Sequence, residues 1–504
     1  MAVSSFGVVS LLVALLSGGA HDLLDFVSTD AYWKAKGVTV SVEQLVAELK
    51  TPDAADVSEL VKNLGSGDFA KRDAAARAIL ARGPAAIPTL EKFADDPDPE
   101  VASRVKTMAQ QLRLKSKAAD VRRLMAIRTL GEMKKPEAVA ALRALSGSKE
   151  MFVADYAARA VARIEGKATP ARGVKAEALK SDLAILPANC AMVGQLAFAG
   201  GSETFFSFDE AIKGVPAQPG ENRQAMLERM TAHVIEVADQ IGNVRVESVS
   251  FGLADVIGPQ DGFAAFVVRG QYDAPAVLTY LRGVMPPAKT VEGADVFSPD
   301  PHLALVFPGN DRALFMTGAS ADKLPVKELL TAIAAAGAGV QAPPTHPLLK
   351  EPALAPFVAS LDGTVRMWAA CKVSDSYRGA PVVQAFDVIT MVGRQEKDSL
   401  TLRLAGSGTD AVSVKGAVDL MNQGLDAARM HLPQLAQQTP ALQPIVDFVT
   451  GAKCTADDKN ATLTGTFKGD MGNLLALPFM VFWARAEAVP GQPPAAVQPA
   501  PVVK

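Results

Sequence analysis

In residues 57–166 the apolar side chains recur at helical spacing, in stripes too narrow for any one helix to bury alone. Val101, Val105, Met108 and Leu112 fall at i, i+4, i+7 and i+11. Val121, Leu124, Met125, Ile127 and Leu130 repeat the pattern, and Val153, Ala157, Val161 and Ile164 follow. A stripe of this kind folds only against a neighbour, so these stretches must stack. The spacing predicts helices over 57–64, 68–82, 85–94, 99–113, 118–131, 136–145 and 150–165. Turn signals separate them at Gly65-Ser66-Gly67, Gly83-Pro84, Asp96-Pro97-Asp98-Pro99, Lys135-Pro136 and Gly147. Pro84, Pro99 and Pro136 stand at or near first-turn positions, where a missing N–H costs nothing.

The segment from Leu64 to Leu112 resembles the HEAT-type repeats of large bacterial exported proteins. The pieces GPAAIPTL at Gly83 to Leu90 and DPDPEV at Asp96 to Val101 carry the likeness. A second unit, AIRTLGEMKKPEAVAALRAL, covers Ala126 to Leu145. The resemblance implies an armadillo-like α-solenoid that binds a protein or peptide, and names no particular partner.

At 504 residues the chain is too long for one ordinary core. Beyond residue 180 the pattern changes to mixed strand and helix. Strands are expected over 183–198, 244–253, 263–271, 303–307, 313–317, 365–373, 399–405 and 461–467. Helices are expected over 221–241, 274–281, 321–336, 382–392, 412–428, 441–450 and 472–486. The order β-α-β-β-α recurs after Val365, which points to a duplicated α+β region with mainly antiparallel sheet. This region is similar to uncharacterised bacterial exported proteins that open with "LPA" and a strand, as at Leu186-Pro187-Ala188. The expected chain is therefore multidomain: a signal peptide at 1–20, a lead-in at 21–56, HEAT-like helical repeats at 57–166 and a linker at 167–180. The α+β region follows at 181–488, in halves of about 181–340 and 341–488, and then a Pro/Ala-rich disordered tail at 489–504.

Val8 to Leu16 is an apolar stretch too short for an ordinary membrane span, followed by Ser17-Gly18-Gly19-Ala20. This predicts export to the periplasm or beyond, with cleavage after Ala20; the n-region, 1–6, carries no Lys or Arg, so an uncleaved anchor stays open. The net charge of -3 is unevenly spread. Residues 61–166 hold twenty Lys and Arg against thirteen Asp and Glu, a net of +7, so the rest carries -10. The basic residues alternate with acidic ones around helices, the mark of a solvated face. A docking surface for an acidic partner is the second reading, and no nucleic acid is expected.

Chemistry is thinly signalled. Cys190, Cys371 and Cys454 are far apart, with no CxxC and no zinc-ligand spacing. Cys190 and Cys371 read as buried thiols, with a bridge between them left open. His21, His233, His302, His346 and His431 are scattered, with no HExxH, and read as structural or solvent-facing. Gly406-Ser407-Gly408-Thr409-Asp410-Ala411 places G-x-G-x-x-A between a strand and a helix, the order a dinucleotide loop needs. Asp410 would put a negative charge where phosphate should lie, so a plain strand-to-helix turn is the expectation. Asp95, Asp96, Asp98 and Glu100 lack the glycine of a calcium loop, and Asp98 reads as an N-cap beside Pro99. Asp457 and Asp458 read as a polar turn. The run LLALPFMVFW at 474–483 reads as a core helix, with membrane contact as its alternative.

No catalytic, cofactor-binding or metal-ligating residue is nominated. The expected function is that of a non-catalytic interaction or scaffold protein of the bacterial cell envelope, its partner another protein or peptide held by the HEAT-like stack. The alternative is an enzyme with a site in the α+β region assembled from distant residues.

Overall fold

The structure is a computed structural model of the chain. It describes residues 22–50, 55–167, 182–197, 222–254, 262–285, 287–318, 320–337, 346–361, 365–373, 382–396, 399–438 and 443–468. The expected signal peptide, nearly all of the linker, the apolar run 474–483 and the tail lie outside these residues.

The described chain opens with a buried segment, Asp22 to Val27, that forms a single 3-10 turn. Helices follow: α1 (Thr29–Ala35), α2 (Val42–Glu48), α3 (Ser58–Leu64), α4 (Phe69–Ala81), α5 (Ile87–Lys92), α6 (Pro99–Glu132), α7 (Val139–Leu145) and α8 (Val153–Ile164). Their starts are locally encoded. Ser28 accepts a hydrogen bond from the Ala31 amide, and Ser41 and Gln44 form a capping box. Asp68 accepts from Ala70 N–H at 2.8 Å, and Asp98 from Glu100 N–H at 2.8 Å. Each such cap is worth about 1 kcal/mol.

One expectation is overturned here. The helices predicted over 99–113 and 118–131 are a single helix of 34 residues, about 51 Å long at 1.5 Å per residue. Residues 114–117 contain no Gly or Pro to stop it. Ser116, which could compete with the backbone, donates its hydroxyl to the Arg113 carbonyl at 2.8 Å and stays in the helix. Lys117 then ties the middle of α6 to Asp273 at 2.8 Å.

Two cores lie along α6. The first is built by α3, α4, α5 and the N-terminal half of α6: Val61, Leu64, Ile79, Leu90, Val105 and Leu112 meet there. The second takes Val121 to Leu130 of α6 and joins them to Leu23, Leu24, Phe26, Tyr32 and Leu45. It also includes Tyr156 and Ala157 of α8 and side chains of the sheet. Residues 22–49, expected as a lead-in, are thus part of the body's main core. Burying each of Leu23, Leu24 and Phe26 contributes about 1.5–3 kcal/mol.

Beyond the helical region lie β1 (Met192–Ala197), α9 (Arg223–Ile241), β2 (Arg245–Ala254), β3 (Phe263–Gln271) and α10 (Ala274–Val284). Then come β4 (Lys289–Val291), β5 (Ala294–Phe297), β6 (Leu303–Val306), β7 (Arg312–Gly318), α11 (Val326–Gly337) and α12 (Ala355–Ala359). The chain continues through β8 (Val365–Lys372), β9 (Val388–Glu396), β10 (Ser399–Ser407), α13 (Ala411–Gln438), α14 (Gln443–Gly451), β11 (Lys453–Asp457) and β12 (Asn460–Lys468).

The twelve strands form one sheet in the order β11-β12-β10-β9-β8-β1-β2-β3-β7-β6-β5-β4, and every pairing is antiparallel. Outward from the β1–β8 pair the connectivity runs alike in both directions, except that the β4–β5 hairpin is added on one edge. In the first half both faces are covered. Val249, Val268 and Leu305 face α9 and α10, while Val267, Val306 and Met316 face α11 and the segment Leu183–Cys190. In the second half, α13 and α14 take one face, and the other presents Thr401, Arg403, Thr462, Thr464 and Thr466.

The helix expected over 382–392 is instead β9, preceded by a 3-10 turn at Val383–Ala385. Its β-branched residues suit a pleated surface, and pairing with both β8 and β10 overrides the helical reading. The strand expected from Leu183 begins only at Met192. Pro187 and the buried packing of Leu183, Ile185 and Leu186 hold that segment off the ladder. The short strands β4, β5 and β11 were not anticipated; the turn Glu292-Gly293, with both φ positive, closes the β4–β5 hairpin.

Candidate functional site

The groups singled out for chemistry are engaged in structure. Cys190, Cys371 and Cys454 are free and buried. Burial pushes the Cys190 thiol up to about 12, with Glu328 adding to the effect, and the Cys371 thiol up to about 11. Thiols held so far from thiolate are poor nucleophiles at neutral pH. His346 is buried: its Nε2 lies 2.8 Å from the Pro187 carbonyl and its Nδ1 accepts from the Leu348 amide at 3.2 Å. That pattern fixes a neutral imidazole and clamps the "LPA" turn to the start of the next 3-10 helix. His302 is exposed, with Nδ1 3.2 Å from the Gly318 carbonyl. His233 sits on α9 and His431 on α13; His21 is outside the described residues.

The glycine-rich turn does lie between a strand, β10, and a helix, α13. Its glycines, however, serve close packing. A Cβ at position 406 would fall 2.5 Å from the Phe386 ring, and one at 408 would fall 2.1 Å from the Ala385 carbonyl. The Gly408 amide donates to Lys459 O at 2.9 Å. Asp410 caps the helix by accepting from Ser413 N–H at 2.7 Å, which holds its carboxyl below the usual range. Both neighbours of β10 are antiparallel, so the βαβ setting of a dinucleotide loop is not present here.

Two buried ionic clusters escaped the sequence reading because their members are distant along the chain. Arg245 of β2 donates Nε to Asp22 at 2.6 Å and Nη2 to Asp22 at 3.0 Å and to Asp155 at 2.7 Å. Its guanidinium stacks 5.0 Å from the centre of the Phe152 ring, a residue with the uncommon φ of 71°. The two carboxylates raise the Arg245 pKa against the opposing effect of burial. This cluster locks the buried segment Asp22 to Val27, helix α8 and the sheet together. On the other side, the fully buried Asp182 accepts from Arg269 at 2.6 and 2.7 Å and from Arg312 at 3.0 Å. Among the described residues no group of three or more His, Cys, Asp or Glu is placed to hold a metal.

A cavity of about 60 Å³ lies between α9, α10 and the sheet. Val237 and Ile241 come from α9, Val277 and Leu281 from α10, and Val268 and Phe315 from the sheet. A void of this size costs about 1.4 kcal/mol at about 24 cal/mol per Å³. Phe315 is half-buried and continues a row across three adjacent strands, with ring centres 5.4 Å apart for Phe315–Phe266 and 6.4 Å for Phe266–Phe251. On the helical region, Phe69 at the first turn of α4 is 73% exposed, with the Arg72 guanidinium 5.8 Å from its ring.

No known protein family and no curated protein matches the chain. Solved structures of TP0453 are similar at low identity. Crystal form III shares 11% identity over 59% of this chain and 97% of that one, with a TM-score of 0.35. Crystal form I shares 10% over 60% and 97%, with a TM-score of 0.33. Likenesses at this level carry no argument about this chain. No described helix is long and apolar enough to cross a membrane.

Proposed function

We propose that this protein is a non-catalytic binding protein of the bacterial cell envelope, whose HEAT-like helices engage another protein or peptide. The observation that carries the reading is the arm formed by α3, α4, α5 and the first half of α6. It holds a core of its own and presents Phe69 to solvent. Burying one aromatic of that size contributes about 1.5–3 kcal/mol, and aromatics beside arginine are the usual anchors of protein interfaces. Around it the surface is charged and mixed in sign: Glu59–Lys62, Asp73–Arg77, Glu91–Arg113 and Glu100–Arg104 all pair in solvent. Such a rim favours a polar protein surface over a phosphate backbone, which would need cations free of acidic neighbours. The engaged thiols, the clamped His346 and the filled glycine turn support the non-catalytic part of the reading.

The test is site-specific photo-crosslinking in cells, with a benzophenone amino acid at position 69 and, as control, at position 412, which is 83% exposed on α13. A crosslinked product from position 69 alone supports the arm. Equal products at both positions, or none at 69, overturn it.

A further inference from the structure

We propose that the cavity between α9, α10 and the sheet is a binding site for a small neutral molecule with an aliphatic chain. The walls are aliphatic and aromatic, and three side chains with polar heads reach them: Arg245, Tyr272 and Tyr280. Two of the three are committed. Arg245 is held by Asp22 and Asp155, and the Tyr272 hydroxyl donates to the Arg312 carbonyl. The Tyr272 hydroxyl cannot serve a ligand carboxylate or phosphate without giving up its bond to Arg312, and the charge of Arg245 is already matched by two carboxylates. Among the described residues Tyr280 has no hydrogen-bond partner; it is half-buried, and burial together with the nearby Glu236 carboxylate disfavours its ionisation. An anionic head group at that position would meet repulsion, whereas a hydroxyl or ester would find one phenol.

The size agrees with a chain rather than a ring system. About 60 Å³ is room for a few methylene groups, and apolar cavities of this kind stay dry and admit apolar guests. The row Phe315, Phe266, Phe251 continues the apolar surface from the cavity across β7, β3 and β2, offering a track for the rest of the chain. This site is in the body, so it stands or falls separately from the role of the arm.

The test uses the full chain and the neutral, chain-shaped fluorophore methyl cis-parinarate, with 1-decanol and decanoate as competitors at pH 8. The expected result is a saturable rise in fluorescence at one probe per chain, displaced by decanol at concentrations at least tenfold lower than by decanoate. Ala313→Leu fills the void from β7 and Val277→Phe fills it from α10. Each should weaken probe binding tenfold or more in a chain whose circular dichroism is unchanged. If one variant does not fold, the other decides. Probe affinity unchanged in a folded filled variant, no saturable signal in the wild-type chain, or decanoate competing as well as decanol would each overturn the proposal.

Discussion

The two halves of α6 share one backbone and live in different surroundings. From Val101 to Leu112 the buried residues are Val101, Val105, Met108, Ala109 and Leu112, a single stripe with charged residues elsewhere. From Arg123 to Gly131 every residue is buried, including Arg123, Arg128 and Thr129. The first half is a surface helix of the arm, and the second is a central helix of the body. Its buried cations are tolerated because their donors are used. Arg128 Nη1 donates to Leu24 O at 2.7 Å and Val27 O at 3.0 Å, and its Nε to Glu132 at 2.9 Å. Arg123 donates to Leu49 O at 3.0 Å and Glu150 at 2.6 Å. A helix can therefore serve a separate arm at one end and the core of the body at the other without any break in its backbone.

The sharpest way to break this comparison is to remove one arginine from each half. Arg128→Ala should destabilise the body by about 3–5 kcal/mol, because Glu132 and two carbonyls lose their buried donor. Arg104→Ala, which loses only the solvent-exposed pair with Glu100 at 2.7 Å, should cost about 0.3–0.5 kcal/mol. Urea unfolding followed by near-ultraviolet circular dichroism measures both, and equal costs would erase the distinction. Next in size is Ile79→Ala in the arm, at about 2–5 kcal/mol for a fully buried side chain. Hydrogen exchange should then quicken across α3, α4 and α5 while β2 and β3 keep their protection; loss of protection in both would mean a single cooperative unit. Ser116→Pro interrupts α6 between the cores and should cost about 3 kcal/mol. Its signature is two separate unfolding transitions where the parent chain shows more closely coupled ones.

What the residues disclosed in advance follows the range of the forces involved. Caps and turns act within four residues, so the Gly65-Ser66-Gly67 turn between α3 and α4 and the Asp98 cap at the start of α6 are legible in the sequence. Strand β3 was also legible, because Phe263 to Gln271 is a β-rich run bounded by Gly262 and Asp273. The continuity of α6 across the polar interval Lys115 to Lys117 is not legible locally, because the bonds that show its role run to Arg113 O and to the distant Asp273. β9 was read as a helix because its pairing partners β8 and β10, which settle the matter, are not visible in a local window. The Asp22–Arg245 contact spans 223 positions, and no spacing rule reaches that far. The cavity is a property of shape left after packing, so no residue type announces it.

The smallest expected effect also separates arm from body, and it turns on pH. The arm, residues 55–112, contains no histidine. The body holds His346 buried and neutral, with its pKa lowered from 6.5 by burial, against the partial opposition of the Pro187 carbonyl. In the unfolded chain the same imidazole takes a proton more readily. Below about 6.5 the unfolded state therefore binds more protons than the folded one, and body stability falls as pH drops toward the folded value. Between pH 7.5 and 5.5 the body's unfolding midpoint should move to lower urea while that of the arm holds. His346→Gln can still donate to Pro187 O and accept from Leu348 N–H without titrating. It should remove most of the body's drift in this window, and a drift of the same size in the variant would assign the effect to other groups.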